Sequence, residues 1–482
     1  MKIQHSTSGI GLLRGLATAG LSCCLAAMAM AAQAAPLTPE ETARVDAAMG
    51  KVVSEGVPGL SIAIVRDGQV AYVHGYGVRD RETGRPVTAD TRMEIGSVTK
   101  QFTAAAVLQL AEQGKLSLDD RVTAYVPEYP AGKDITLRQL LWQVSGVPEY
   151  VSNDAVQADA DTRGVPSAGK ILDRVKAKPM DFPPGDRWAY SNSNYFLLGL
   201  VVERVSGRPF DQYVRDHVLR PAGMSRTTTI EHEAGLKDMA AGYVVVDGHE
   251  RRSAPLASLW AWSAGNLVSD VGDMVRWDEA LFGGKVVRPE SLALMTTPGR
   301  LANGKPTIYG MGWAVTPIGG QKAVWHTGGT LGFGAMNAIF PDRNLRVVVL
   351  MNSASKDPGS VTNTLVEALY PDLAAGKLTA AAGEDPAITR RVAALIKALQ
   401  AGSVPDADLT DVAKARFTPA MVKQVKDYLQ PMGDPKALIF KGVTPKDGSS
   451  VYAYLVRFEH EDLSFEVGLD PQGRLASVGV SQ

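Results

Sequence analysis

The chain has 482 residues, of which 45% are apolar, and its 50 basic residues nearly balance 51 acidic ones. This balance excludes the basic surface on which nucleic-acid binding depends, and the length exceeds what one hydrophobic core usually supports. We therefore expect a large domain and a smaller one, with a small molecule or peptide as substrate and no nucleic acid as partner. Nothing in the sequence indicates an oligomeric state.

The first 34 residues have the pattern of a secretory signal peptide. Two basic residues accompany an apolar run over residues 15–32, which ends in the small-x-small sequence Ala32-Gln33-Ala34. We predict cleavage after Ala34 and a periplasmic or secreted protein. Both cysteines lie inside this segment, so the mature chain would have no disulfide and no thiolate metal site. No later stretch is long and apolar enough to predict a transmembrane segment.

Apolar periodicity predicts strands near both ends of the large domain, at 35–371, and helices between them. In chain order, the pattern predicts strands at 59–65 and 70–76, helices at 97–112, 137–143, 168–178, 194–205, from 209 and around 277–281, and strands at 312–316, 322–326, 335–340 and 346–351. This order favours an α+β fold, in which an antiparallel sheet built from the two ends of the domain is flanked by helices and a helical insertion.

A small, polar stretch at 372–386 predicts a linker to a C-terminal module at 387–482. Helices near 388–400 and 419–430 precede four alternating strands near 436–443, 450–459, 462–469 and 474–480. We expect a small α+β module without a catalytic cluster of its own.

Ser97-Val98-Thr99-Lys100 is the segment with the clearest chemical meaning. A serine hydroxyl becomes a nucleophile only when a proton acceptor lies within hydrogen-bond distance. Residues i and i+3 of a helix project from nearly the same face, so the Lys100 side chain can reach the Ser97 oxygen. The spacing predicts a serine nucleophile at the start of a buried helix.

Two further segments carry polar groups suited to acyl transfer. In Tyr190-Ser191-Asn192 the phenol and the amide are two residues apart and can face one cavity. His326-Thr327-Gly328-Gly329 follows a predicted edge strand, where glycines allow a substrate backbone to approach closely. Signatures of other classes, H-E-x-x-H, G-x-G-x-x-G and G-x-S-x-G, do not occur, so the sequence predicts no metal and no cofactor.

With S-x-x-K, Y-x-N and H-T-G in this order over some 330 residues, the chain resembles the serine beta-lactamase superfamily. The resemblance is to its class C, D-alanyl-D-alanine carboxypeptidase and esterase branch. It implies a beta-lactamase/transpeptidase-like fold, with an all-helical subdomain beside the sheet, and a serine hydrolase that forms an acyl-enzyme.

The resemblance also implies roles for individual residues. Ser97 would be the nucleophile, with either Lys100 or Tyr190 as its general base, and the backbone N–H groups of Ser97 and Gly329 would form the oxyanion hole. The substrate would contact a set of side chains and backbone around the nucleophile: Asn192, Trp260, His326, Thr327 and Gly328.

The third motif and its surroundings bear on the substrate. His326 stands where a lysine would supply a permanent charge for a beta-lactam carboxylate. The carboxypeptidases carry an arginine after a Tyr-Gly-x-Gly segment, and here Tyr309-Gly310-Met311-Gly312 leads to Trp313 and Ala314. A carboxylate grip would need Lys322 or Arg300 instead, whereas Trp313 and Trp262 would make an apolar cleft.

These features favour hydrolysis of a D-amino-acid-containing peptide or a small ester. A weak class C-type beta-lactamase and a non-hydrolysing penicillin-binding or cell-wall-binding protein are the alternatives.

Overall fold

The computed structural model describes residues 36–481 except 152–166, 247, 257, 374–379, 405–408, 447–448 and 459–461, so the predicted signal peptide lies outside the described residues. The helices are α1 (Pro39–Ser54), α2 (Thr99–Glu112), α3 (Leu137–Leu141), α4 (Ala168–Lys176), α5 (Asn192–Ser206), α6 (Phe210–Val214), α7 (Arg220–Ala222), α8 (Ser258–Gly265), α9 (Val271–Phe282), α10 (Pro289–Thr296), α11 (Pro358–Leu369), α12 (Pro386–Ala401), α13 (Asp411–Arg416) and α14 (Pro419–Leu429). The strands are β1 (Gly59–Arg66), β2 (Gln69–Asp80), β3 (Arg85–Pro86), β4 (Met93–Glu94), β5 (Thr228–Thr229), β6 (Tyr243–Val246), β7 (His249–Arg252), β8 (Leu267–Ser269), β9 (Val324–Gly329), β10 (Gly334–Phe340), β11 (Leu345–Met351), β12 (Ala437–Lys446), β13 (Ser449–Arg457), β14 (Asp462–Leu469) and β15 (Leu475–Ser481).

The main sheet has six strands in the order β3-β2-β1-β11-β10-β9, with antiparallel pairs throughout. Its central strands alternate between two apolar faces: Ile62 on β1 and Val349 on β11 pack against α1 and α11, whereas Ala63 and Val348 face the helical region. Because both faces are covered, β1 is apolar at nearly every position. The α+β architecture with an antiparallel sheet is the predicted one.

Helix α2 lies in the centre of the helical region and is buried along most of its length. Helices α5 and α8 pack against it, and α5 contributes its own buried face from Ser193 to Val202. A helix that is apolar all round has to be enclosed in this way, and burial fixes the orientation of its first turn. Among the described residues, no helix has the length and hydropathy needed to cross a membrane.

The C-terminal residues have a hydrophobic core of their own. Four antiparallel strands in the order β12-β13-β14-β15 pack against α12 and its neighbours, with Ile396, Leu429 and Phe465 in the centre. Ala381, inside the stretch predicted as a linker, donates its N–H to the Phe440 carbonyl at 2.7 Å. The exact domain boundaries remain predictions.

The expected strand at Gly312–Thr316 is wrong. Only isolated bridges link Ala314 to Tyr309 and to Trp325. The reason is Gly312, whose φ of 79° breaks an extended run and whose missing side chain lets the segment pack against the first turn of α2.

Five of the described helices had no counterpart in the predicted elements: α1, α8, α10, α11 and α13. Helix α1 has a capping box between Thr38 and Glu41, Pro39 in its first turn, and buried residues at Val45, Met49 and Val52. These are ordinary helix-start and periodicity signals.

Candidate active site

Ser97 lies in a single 3-10 turn, Gly96–Val98, that leads directly into α2. Its position at a helix N-terminus places the hydroxyl in the positive end of the helix dipole. The side chain is half-buried and lines a cavity, so a ligand can reach its oxygen.

Lys100 is fully buried one helical turn further on. Its Nζ donates to three oxygens: Ser97 Oγ at 2.9 Å, Asn192 Oδ1 at 2.8 Å and the Ala264 carbonyl at 2.7 Å. Burial lowers the pKa of Lys100 to about 7, against the opposing effect of the Glu149 charge. Near neutral pH the amine is therefore balanced between its charged and neutral forms.

Tyr190 approaches the same serine from the other side. Its hydroxyl donates to Ser97 Oγ at 2.9 Å, and the Lys100 Nζ lies 4.9 Å from the centre of its ring. Burial of the hydroxyl raises the pKa of Tyr190, although its hydrogen bond with Ser97 lowers it. The phenol thus stays protonated under conditions in which Lys100 loses its proton.

Asn192 is the first residue of α5, two residues earlier than the predicted helix start. Glu149, which the sequence analysis did not single out, fixes its orientation. One Glu149 oxygen accepts the Asn192 backbone N–H at 2.7 Å and its Nδ2 at 3.1 Å, so Oδ1 turns towards Lys100. The only signal in the sequence was a lone carboxylate in an apolar stretch rich in proline and glycine.

Strand β9 brings the third motif beside the serine turn. A Cβ at Gly328 would lie 1.9 Å from the Ile95 carbonyl oxygen, and one at Gly96, whose φ is 48°, would lie 2.7 Å from the Gly329 nitrogen. Side chains at either position would push the strand and the turn apart. This close approach brings the backbone of Gly329 beside the Ser97 turn, and both residues line the same cavity. The oxyanion hole formed by their N–H groups remains a prediction.

His326 and Thr327 belong to β9 itself, not to a segment after it. His326 is buried, and both ring nitrogens are engaged: Nε2 with the Tyr309 hydroxyl at 2.8 Å and Nδ1 with the Thr327 carbonyl at 2.6 Å. Burial, with the nearby Lys100 charge, lowers the pKa of His326 to about 3, so the imidazole is neutral at physiological pH. The imidazole packs against the Tyr190 ring, with 6.1 Å between the two ring centres, and so supports the position of the phenol.

A cavity of about 310 Å³ opens over Ser97. It is lined largely by apolar groups, with Asn192 and Trp260 among the predicted substrate contacts: Ser97, Tyr150, Val151, Asn192, Leu256, Trp260, Ala261, Ala264, Gly265, Gly329, Thr330 and Leu331. Trp260 stacks on Tyr150, whose hydroxyl donates to the Trp260 carbonyl at 2.7 Å. His326, Thr327 and Gly328 do not line this cavity, and their roles as substrate contacts remain predictions.

The expectation that Trp313 and Trp262 form an apolar cleft is wrong. Trp313 is fully buried and packs edge-on against Phe282, and Trp262 is buried between Phe196 and Phe210. Both indoles fill the core, and Trp260 provides the aromatic wall instead.

Neither basic residue considered as a carboxylate grip belongs to the cavity. Lys322 pairs with Asp342 at 3.4 Å, and the Arg300 guanidinium donates to the Gly304 carbonyl at 2.9 Å. None of the cavity-lining residues in the described part of the chain is basic. Within the same described ranges, no cluster of three histidine, cysteine, aspartate or glutamate residues could hold a metal ion.

Residues 41–370 match the model of the Beta-lactamase family. Protein flp of Staphylococcus aureus (strain MW2) is 30% identical over 331 residues, which are 66% of this chain and 65% of that protein. The chain thus spans slightly less than two thirds of this relative's length.

Two solved structures resemble about two thirds of the chain. A D-stereospecific amidohydrolase from Streptomyces sp. has a TM-score of 0.59 and 27% identity, covering 68% of this chain and 98% of that one. A penicillin binding protein from Bacillus halodurans also has a TM-score of 0.59 and 27% identity, covering 69% of this chain and 100% of that one. The match over residues 41–370 and the shared fold place the chain in the Beta-lactamase family.

Proposed function

We propose that the protein hydrolyses an amide or ester bond through an acyl-enzyme on Ser97. The observation that carries this proposal is the convergence of two proton-transfer groups on one oxygen. Ser97 Oγ lies 2.9 Å from both Lys100 Nζ and Tyr190 OH, at the wall of an open cavity. Nucleophile and base within hydrogen-bond distance are the geometric signature of covalent catalysis.

The hydrogen-bond partners of Lys100 favour it as the general base. A neutral amine has two N–H groups and one lone pair, and two of its three partners, Asn192 Oδ1 and the Ala264 carbonyl, can only accept. Both N–H groups are then used, and the lone pair faces the Ser97 hydroxyl. With a pKa near 7, the amine can take the serine proton at neutral pH.

Tyr190 is better suited to give a proton than to take one. Its raised pKa keeps the phenol protonated, so it can donate to the leaving group while Lys100 holds the serine proton. The step forms the Ser97–acyl bond and breaks the substrate's amide or ester bond. The leaving group takes the Tyr190 proton, and the serine proton held by Lys100 then restores the phenol, so that the net transfer is from Ser97 to the leaving group. Water then attacks the acyl-enzyme, and the same proton transfers in reverse release the acid and restore the Ser97 hydroxyl. The backbone N–H groups of Ser97 and Gly329 would stabilise the oxyanion in both halves.

The lining of the cavity favours substrates with an apolar acyl group. It also favours a leaving group without a free carboxylate. Val151, Leu256 and Leu331 accompany the Tyr150–Trp260 stack, and no basic side chain lines the cavity among the described residues. Among the described residues that line the cavity, none offers a guanidinium to a terminal carboxylate; Arg174 lies over the Trp260 ring, 4.8 Å from its centre, and is not part of this lining. We therefore propose D-amino-acid amides or peptides with an apolar acyl residue as substrates, with small esters as a second group. The similarity to a D-stereospecific amidohydrolase supports the stereochemical part.

A substrate panel tests this proposal. Purified protein would be assayed with D- and L-phenylalanine amide, an acetylated peptide ending in D-alanyl-D-alanine, p-nitrophenyl butyrate and a chromogenic cephalosporin. We expect turnover of D-phenylalanine amide and the ester, with kcat/KM for the carboxylate-terminated peptide lower by about tenfold or more. Efficient carboxypeptidase activity, or preference for the L-amide, would contradict the substrate assignment.

A covalent trap for penicillins is a second candidate, favoured by the similarity to a penicillin binding protein. Intact-mass measurement after incubation with benzylpenicillin distinguishes the two candidates. A stable adduct without turnover of any substrate in the panel would favour the binding protein, and rapid cephalosporin turnover would favour a beta-lactamase.

Export through the N-terminal segment remains part of the proposal, and N-terminal sequencing of the mature protein after expression with its leader would test it.

The pH dependence of kcat/KM follows from the pKa of Lys100. The reaction needs the neutral amine, so kcat/KM should fall as the pH drops below about 7 and level off above it. Because the pKa of Tyr190 is raised, no loss of activity from its ionisation should occur up to about pH 10. An activity maximum on the acidic side of pH 6 would be inconsistent with Lys100 as base.

Glu149→Gln should change both the rate and its pH dependence. The Glu149 charge raises the pKa of Lys100. Its removal should therefore move the acidic limb of the pH profile, the range in which kcat/KM falls with falling pH, to lower pH by about half a unit or more. The amide that replaces the carboxylate keeps one acceptor oxygen for Asn192 but places an NH2 group against the Val151 N–H, which donates to the second carboxylate oxygen at 2.8 Å. The Asn192 amide should then be fixed less firmly against Lys100, which should lower kcat about tenfold. Glu149→Asp retains the charge and serves as the control. An acidic limb that stays in place in Glu149→Gln would exclude this coupling.

A further inference from the structure

Trp262 has a backbone conformation that a tryptophan rarely adopts. Its φ is 29° and its ψ is −129°, inside a segment that is otherwise helical, α8. In this region a side chain clashes with its own backbone, and only glycine enters it without strain. The surrounding structure must therefore hold Trp262 in place.

Packing supplies that hold. The indole lies between Phe196 and Phe210, with ring centres 5.3 Å and 5.4 Å away. Helix α5 leaves room for it at Gly199, where a Cβ would lie 2.9 Å from Trp262 Cζ3 and 2.2 Å from Ser263 Oγ. A glycine in a helix interior is unfavourable, so its position against the kink has a structural reason.

The two carbonyls that follow the kink lie in the last turn of α8, where carbonyls have no partner within the helix, and both accept hydrogen bonds from α2. The Ser263 carbonyl accepts from Thr103 Oγ1 at 2.6 Å, and the Ala264 carbonyl accepts from Lys100 Nζ at 2.7 Å. In an uninterrupted helix, carbonyl groups point along the axis to backbone N–H groups. Here both are turned sideways onto α2, one of them onto the proposed base.

We propose that Trp262 is a positioning residue for the hydrolase: its strained backbone aims the Ala264 carbonyl at Lys100, which fixes one amine hydrogen and thereby turns the lone pair towards Ser97. This inference rests on the proposed function, because it assigns Lys100 the role of base. Trp262 does not contact the substrate cavity, so its effect on activity is indirect.

The test compares Trp262→Ala with Trp262→Gly. Both variants remove the indole, but only glycine can keep a φ of 29° without strain. We expect Trp262→Gly to retain about tenfold higher kcat/KM than Trp262→Ala towards p-nitrophenyl butyrate. The acidic limb of the pH profile should stay in place in Trp262→Gly. It should move to lower pH in Trp262→Ala, where Lys100 loses a carbonyl that stabilises its charged form.

If Trp262 contributed only packing, Trp262→Gly would be less active than Trp262→Ala. Glycine removes more of the side chain and gives the backbone more conformational freedom. Equal activities and pH profiles for the two variants, or a less active Trp262→Gly, would overturn the proposal. The other titratable groups near Lys100, namely Glu149, Tyr190, Tyr195 and His326, are unchanged in both variants.

Gly199→Ala keeps the proposal testable if Trp262→Ala does not fold. Its methyl group presses on Ser263 and the indole from α5, and should lower kcat/KM and move the acidic limb in the same direction. An unchanged profile in a folded Gly199→Ala would count against the proposal. Leu365→Ala shortens a buried side chain on α11, on the face of the main sheet opposite the helical region. This variant is the control for general destabilisation and should leave the pH profile unchanged. A wild-type protein without any hydrolytic activity would instead refute the proposed function.

Discussion

Replacing Ser97 by alanine should abolish hydrolysis and every covalent adduct. The hydroxyl accepts hydrogen bonds from both Lys100 and Tyr190, so its removal leaves the proton-transfer groups without a nucleophile. We expect kcat/KM to fall by about four orders of magnitude or more. Intact mass after reaction with benzylpenicillin or a fluorophosphonate probe checks the covalent step separately from turnover.

Ser61→Ala is the matched control for this variant. Ser61 is fully buried on β1, unlike the half-buried Ser97, and its hydroxyl has no hydrogen-bond partner among the described residues. It should leave activity and labelling unchanged. Labelling that persisted in folded Ser97→Ala would show that another nucleophile reacts and would refute the mechanism.

Replacing Lys100 by methionine should cost nearly as much. Methionine retains most of the buried side-chain volume but has no amine, so kcat/KM should fall by about a thousandfold or more. Lys100→Arg separates two roles of the lysine: a guanidinium keeps a positive charge near Ser97 but does not lose its proton in this pH range. If Lys100 acts as base, both variants are inactive.

The measurement is the rate of acylation, followed by single-turnover labelling across pH 5 to 9. Lys115→Met, an exposed substitution beyond the end of α2, is the control. An active Lys100→Arg variant would mean that a fixed charge is sufficient, and would assign the serine proton to Tyr190.

The sequence predicted the centre of the site because its chemistry is local. Ser97 and Lys100 are one helical turn apart, so their contact follows from helix geometry as soon as the helix is recognised. Tyr190 and Asn192 join them from a single loop. These four residues meet as the motifs indicated, although their assigned roles remain predictions.

The parts that were missed depend on tertiary contacts. Glu149 acts on Asn192 across 43 positions of sequence, and no spacing rule connects the two. Whether an indole lines a cavity or fills a core depends on what packs around it, so Trp260 could not be told from Trp262 and Trp313.

The position of β1 in the sheet has a consequence for how the molecule forms. Its neighbours are β2, which follows directly, and β11, which arrives almost three hundred residues later and pairs Leu60 with Met351. Until Met351 has been synthesised, the apolar strand β1 of the nascent chain has one edge open. The whole helical region is synthesised before β11 can close that edge. Long-range pairing of this kind slows folding and prolongs exposure to aggregation. A polypeptide that stops short of β11 would therefore contain the nucleophile, its base and the tyrosine, and still lack a completed sheet against which to assemble them.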